Sequence, residues 1–251
     1  MQIKLWLQKE FFKGVVSAPP ALTWFQNLYW SIEAYGEVPQ QSDLGGRLGD
    51  DWLERNLMRH LKDEQRHAHL WQELLTHRGT FAPEQLPAWA NSVAAFDQSG
   101  WLEAMDKLKL YGSVPTAEWI PFFAALHVLE ADGVERFQTL AQVADPVDPE
   151  TARLLRSILK DELFHVQYTH EAVQRLAKGL TNPQYGAQCL QAAQTAYTRW
   201  RTAMSPSFVQ TMVHQGARFS LPFTVVSSVL GRIGANQPSV IPAPPPIPEA
   251  A

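Results

Sequence analysis

Along most of this chain apolar residues return every three to four positions, and no run of alternating apolar and polar residues bounded by turn signals appears. The pattern predicts an all-α protein. Pro19-Pro20 precede an apolar, aromatic segment that reads as a first helix over 21–38, broken by Pro39 and by Gly45-Gly46. Asp50-Asp51 cap a long helix over 52–76, with acids at its positive end, and Gly79 and Pro83 stop it. Residues 87–110 read as a less regular helical crossover in which Trp89, Phe96 and Trp101 pack. A third long helix follows Thr116 and runs to about Val143. Asp145-Pro146 and Asp148-Pro149 make a tight link into a fourth, over 150–178, ended by Gly179. A fifth follows Asn182-Pro183 and runs to about Met204.

Composition narrows the class. With 251 residues, 45% apolar and 18% charged, the chain can fill one large core. One domain is expected over 1–235, with its central bundle over 21–178. The Pro-rich tail, 236–251, is expected to be disordered. A net charge of −4 advertises neither nucleic-acid binding nor an acidic substrate. The single cysteine, Cys189, excludes an internal disulfide framework and fits a reducing compartment. Lys9, Glu10 and Lys13 interrupt the N-terminal apolar stretch that a secretory signal would need. The most apolar segment, 219–233, is broken by Ser220, Pro222, Ser227, Ser228 and Arg232, too short and too polar to span a bilayer. A packed terminal helix is its plainest reading; a membrane-surface helix or a homodimer contact are the others. The expectation is a cytoplasmic protein without a transmembrane segment.

The most informative feature is an internal repeat. Leu61-Lys62-Asp63-Glu64 recurs as Leu159-Lys160-Asp161-Glu162, and each is followed by a histidine three places after the glutamate, His67 and His165. Upstream, Glu33-Ala34-Tyr35-Gly36 is echoed by Glu130-Ala131-Asp132-Gly133 at nearly the same offset. On a helix, residues three apart share a face, so Glu64 points with His67 and Glu162 with His165. They interrupt apolar stripes, Leu57, Ala68 and Trp71 on one helix and Leu155 and Ile158 on the other. Carboxylates buried there are costly without a cation or a proton. Two Glu-x-x-His helices and two single-Glu helices facing inward make a two-metal site of Glu33, Glu64, His67, Glu130, Glu162 and His165. Oxygen and imidazole donors without thiolate suit two iron ions, with manganese as the other choice.

Asp63-Glu-Gln-Arg-His67 and Asp161-Glu-Leu-Phe-His165 resemble the Asp-Glu-x-x-His motifs of the ferritin-like di-iron carboxylate superfamily. That superfamily includes ferritins, rubrerythrins, ribonucleotide reductase small subunits, bacterial multicomponent monooxygenases and acyl carrier protein desaturases. The resemblance implies a ferritin-like four-helix bundle, here with additional crossover and C-terminal helices. It further implies bridging roles for Glu64 and Glu162, and a role for Asp63 and Asp161 in fixing the histidine tautomers.

Other residues have two readings. Glu37 and Glu135 are extra ligands or, more plainly, surface acids, and Glu54 is an exposed acid. His60 and His127, one turn before ligand glutamates, are proton shuttles or satisfied core histidines. Tyr29 and Tyr168 bond the site or simply pack. Trp24, Phe25, Tyr29 and Trp30, with Phe122-Phe123, line an apolar channel or fill core. Gly36 and Gly133 mark a close helix approach or an opening beside the metals.

The function expected is O2 activation by a di-iron oxygenase or oxidase acting on an apolar small molecule, with an external electron donor. Ferritin-like iron oxidation and storage, or rubrerythrin-like peroxide scavenging, is the alternative. About 70 residues beyond the fourth helix weigh against a minimal storage subunit, and a single cysteine excludes the four-cysteine iron domain of rubrerythrins. A tRNA-modifying hydroxylase has a similar size, but no basic patch supports that reading.

Overall fold

The computed structural model describes residues 2–35, 46–80, 86–178, 180–234 and 241–248. Among them are nine α-helices and no strand. These are α1 (Gln2–Val16), α2 (Pro19–Tyr35), α3 (Asp51–Thr76), α4 (Ser92–Gln98), α5 (Glu103–Tyr111), α6 (Trp119–Ala144), α7 (Pro149–Ala177), α8 (Tyr185–His214) and α9 (Leu221–Gly234). None is long and apolar enough to cross a membrane.

Local chemistry sets the helix ends. The Asp50 carboxylate accepts from the backbone N–H groups of Trp52 and Leu53 at 2.9 and 3.0 Å, which starts α3. Asp148 does the same for α7 through the Thr151 N–H, with Pro149 in the first turn where no backbone donor is needed. Arg78, just past α3, pairs with Asp148 and Glu150, and so ties the end of α3 to the start of α7. Gln26 on α2 donates to the Thr151 hydroxyl at 2.7 Å, so three of the long helices meet at that corner.

Glu33, Glu64, Glu130 and Glu162 thus stand on α2, α3, α6 and α7, whose buried faces share one apolar core. The short link between α6 and α7 makes them the most closely packed pair, and α8 lies against α6. Gly186 permits the close approach of α8 to α7, since a Cβ there would meet Ala177 and Val173 at 3.0 Å. A Cβ on Gly14 would likewise run into the Phe219 ring.

Several expectations change in detail. Pro19 and Pro20 lie inside the first turn of α2, where proline is tolerated, and do not stand ahead of it. The helix is described to Tyr35; 36–38, with Gly36 and Glu37, lie outside the described residues, as do Pro83 and Gly179. Helix α1 was not apparent from the pattern. A 3-10 turn over Thr116–Glu118 precedes α6. Helix α8 continues through Pro206 to His214, because Phe208 and Met212 beyond it are buried. Part of the tail contradicts the expectation of disorder: Ile241 is buried, the Trp101 indole donates to the Pro242 carbonyl, and the Tyr185 hydroxyl donates to that of Pro245. Pro242 and Pro245 supply carbonyl acceptors to buried donors, a role open to prolines that build no core. Helix α9 packs through Phe223, while Leu221, Val225 and Val229 remain exposed.

Candidate metal centre

The repeat residues converge. His67 Nδ1 lies 3.3 Å from Glu162 Oε1, 3.6 Å from Glu33 Oε2 and 3.7 Å from Glu64 Oε1. His165 Nδ1 lies 3.3 Å from Glu64 Oε1, 3.4 Å from Glu162 Oε2 and 3.6 Å from Glu130 Oε2. Glu64 and Glu162 therefore each face both imidazoles, whereas Glu33 faces one and Glu130 the other. The cluster resolves into two overlapping groups whose ligand atoms lie within 4.8 Å of one another: Glu33, Glu64, His67 and Glu162, and His60, Glu64, Glu130 and His165.

The outer nitrogens of the two histidines are held by aspartates from the opposite helix. His67 Nε2 lies 3.5 Å from Asp161 on α7, and His165 Nε2 lies 3.4 Å from Asp63 on α3. Each Asp-Glu pair thus offers its glutamate to the centre and its aspartate to the other helix's histidine, which turns both Nδ1 atoms inward. Asp161 is steadied by Arg66, and Asp63 by Arg59 at 3.5 Å.

A cation fits this donor set on two grounds. His67 Nδ1, His165 Nδ1 and Glu64 Oε1 are buried without a hydrogen-bond partner among the described residues, an arrangement that costs free energy unless something else engages them. Charge gives the second ground. Burial pushes the Glu64 carboxyl up to about 7, and the Glu33 carboxylate adds to the rise. Burial, then Glu130, pushes Glu162 well above the usual carboxylate range. Burial raises Glu33 too. Glu130 goes the other way: burial works against its ionised form, but His60 and His165 hold it well below its ordinary value. His165 is raised despite its burial, because Asp63, Glu130 and Glu162 surround it. Four carboxylates this close cannot all ionise unless cations balance them, and two divalent ions would do so.

His60 belongs to the centre, as its position one turn before Glu64 allows. Its Nε2 lies 3.2 Å from Glu64 and 3.3 Å from Glu130, its ring stacks on His165 with centroids 3.8 Å apart, and its Nδ1 is 2.6 Å from the Tyr168 hydroxyl. Tyr168 is therefore linked to the cluster through His60. His127 is not part of it: its Nδ1 faces the Val166 carbonyl at 3.1 Å and the Thr169 hydroxyl at 3.3 Å on the neighbouring α7. Tyr29 packs, its ring stacked on Trp71 and edge-on to Phe137, and burial pushes its phenol up to about 12. Glu135 pairs with Lys4 at 2.5 Å as a surface acid. Glu54 is half-buried, not exposed, and accepts from the Gly46 and Leu48 N–H groups ahead of α3.

A cavity of about 300 Å³ reaches Glu33, Glu64, Glu130 and Glu162 from the side of α4 and α5. Leu57, Leu61, Met105, Phe122, Leu126 and Leu129 wall it. Gly133 lines it with nothing within 4 Å of where a Cβ would stand, which makes it an opening beside the cluster and not a close helix contact. Of the aromatic residues, Tyr29 and Phe122 reach this cavity, whereas Trp24, Phe25 and Phe123 are buried in the core. Comparison with protein-family models, curated proteins and solved structures finds no match to the chain.

Proposed function

We propose that this chain is a ferritin-like di-iron carboxylate oxidoreductase that uses O2 to oxidise an organic, largely apolar small molecule. The observation that carries the reading is that Glu64 and Glu162 each lie within 3.7 Å of both inward-turned imidazoles, the placement two shared cations require. Held there, two ferrous ions would supply a pair of electrons for the reduction of dioxygen; manganese suits the same donors.

The chain's own residues prepare that chemistry. Asp63 and Asp161 accept from the histidine Nε2–H groups and keep the Nδ1 lone pairs directed inward. His60, held at Nδ1 by the Tyr168 hydroxyl, can exchange a proton between its Nε2 and the carboxylate of Glu64 or Glu130. The apolar wall of the cavity limits bulk water at the carboxylates and gives a small organic molecule a place beside them. That cavity favours oxidation of an organic substrate over iron storage. An external donor must re-reduce the centre between turnovers.

The test is anaerobic loading with ferrous ion followed by exposure to O2 in an oxygen electrode. Rapid O2 uptake in proportion to bound iron, lost together with the iron in Glu64→Ala and His165→Ala, supports the proposal. Full iron loading with no O2 uptake overturns it.

A further inference from the structure

One group of buried charges takes no part in the chemistry above. On α6, Asp132 pairs with Arg136 one turn along and with Arg201 on α8, and it accepts from the Tyr197 hydroxyl at 2.8 Å. Arg136 also donates to that hydroxyl at 3.2 Å. The side chains of Asp132, Arg136 and Arg201 are only 9%, 16% and 26% exposed. Two guanidiniums against one carboxylate leave one positive charge in excess, which is costly away from water and which a monoanion would balance. The nearby Lys4 ammonium pairs with Glu135, so those two charges leave the net excess unchanged.

Two cavities meet at this cluster. Asp132, Arg136 and Tyr197 line the inner cavity that reaches the metal-binding carboxylates, and they also line an outer groove of about 980 Å³ between α1, α8 and α9. Leu7, Phe11, Phe12, Phe208, Val209 and Phe223 make that groove apolar. It follows α8 from Gln194 to Gln210, about 24 Å of helix rise, so its shape is that of a chain and not of a compact ring. Gln8, which lines it, is 6% exposed, and both its amide nitrogen and its oxygen lack a hydrogen-bond partner among the described residues. Gln8 stands one turn along α1 from Lys4, on the face turned to α6. A buried amide left without partners is one that a polar ligand group can engage.

We infer that this cluster is the head-group site for a long-chain monocarboxylate, with the carboxylate on Arg136 and Arg201 and the chain in the outer groove. A carboxylate matches the single excess charge and the planar guanidinium fork, whereas a phosphate carries close to two charges. Arg136 is six residues from Glu130, about 9 Å of helix rise, so the head-group end is the part of the molecule nearest the metal-binding cavity. Taking this carboxylate as the substrate rests on the oxidoreductase reading; its binding does not.

Displacement of a fluorescent polyene fatty acid from metal-free and iron-loaded protein tests the inference. Palmitate should displace the probe about tenfold better than cetyl alcohol. Arg201→Gln should abolish that preference, and Val209→Trp, which fills the groove two turns along α8 from Arg201, should weaken both competitors, with folding of each variant checked by its melting curve. Equal affinity for acid and alcohol, or wild-type palmitate binding in either folded variant, overturns the site. Palmitate binding by a protein that takes up no metal leaves this site standing and removes the oxidoreductase reading; iron loading with O2 uptake but no palmitate binding does the reverse.

Discussion

Glu130 and Asp132 lie two residues apart on α6, yet their surroundings differ. Glu130 is packed among three other carboxylates and two imidazoles, while Asp132 is packed between two guanidiniums and a phenol. The second cluster neutralises its acid from within: burial opposes the ionised form of Asp132, but Arg136 and Arg201 hold its pKa below the usual range. The first has more acid than its histidines can balance, and its pKa values spread apart, with Glu64 and Glu162 driven up and Glu130 down. The difference is one of sign: the Asp132 cluster holds its acid ionised and is left with a cationic excess, whereas the glutamate cluster is left with surplus carboxylates and inward-facing atoms that a cation would engage.

Substitutions sharpen the contrast. The largest effect on stability is expected from Asp132→Ala, which strands Arg136 and Arg201 and should lower the unfolding free energy in urea by about 3–5 kcal/mol, with metal uptake unchanged in the folded fraction. Glu162→Gln should act in the opposite sense on the metal-free protein, raising its stability by about 1–2 kcal/mol through relief of carboxylate repulsion, and it should abolish metal uptake. A variant that lost stability without metal would show that the carboxylates do not strain the fold.

The pH dependence has a definite sign. Glu64 titrates at about 7 in the folded chain against an ordinary value of 4.5. Between those values the folded protein holds a proton that the unfolded chain has lost. Its contribution is complete below about pH 4.5, falls as pH rises, and is gone above about 7. Glu33 and Glu162, also raised, act in the same direction; His67, lowered by burial, opposes them up to its ordinary value of 6.5. Urea unfolding of chelator-treated protein should therefore show lower stability at about pH 7 than at about pH 5, while metal affinity rises over that interval because cations bind the ionised form. The smallest effect is expected from His127→Ala, which should leave metal content unchanged and cost no more than about 1 kcal/mol, read by elemental analysis and thermal melting.

The repeat made the convergent Glu and His cluster legible, because the spacing of Glu64 with His67 and of Glu162 with His165 fixes their shared helix faces whatever the tertiary arrangement. The long helices were legible for the same reason, and the start of α3 at Asp50 from capping chemistry; Asp148 was legible as part of a link, and its cap on α7 shows only in the structure. What could not be read depends on how helices face one another. That Asp63 serves His165, and Asp161 serves His67, requires the packing of α3 against α7. His60 and His127 are alike in sequence, each one turn before a ligand glutamate, and only the neighbours of α3 and α6 separate them. The cluster of Asp132, Arg136, Tyr197 and Arg201 spans α6 and α8, and only its Asp132 and Arg136 pair, one turn apart, is visible along the chain. Proline content misled in the tail at 241–248, where Ile241 is buried, and α8 runs past its expected end through Pro206 because Phe208 and Met212 are buried.

Anaerobic calorimetric titration of the metal-free protein with ferrous ion addresses the metal centre most directly. The account predicts two equivalents bound per chain, with Glu64→Ala binding none because both cations lose the carboxylate they share. Uptake of two equivalents by folded Glu64→Ala, or no uptake by the unaltered chain, would contradict it.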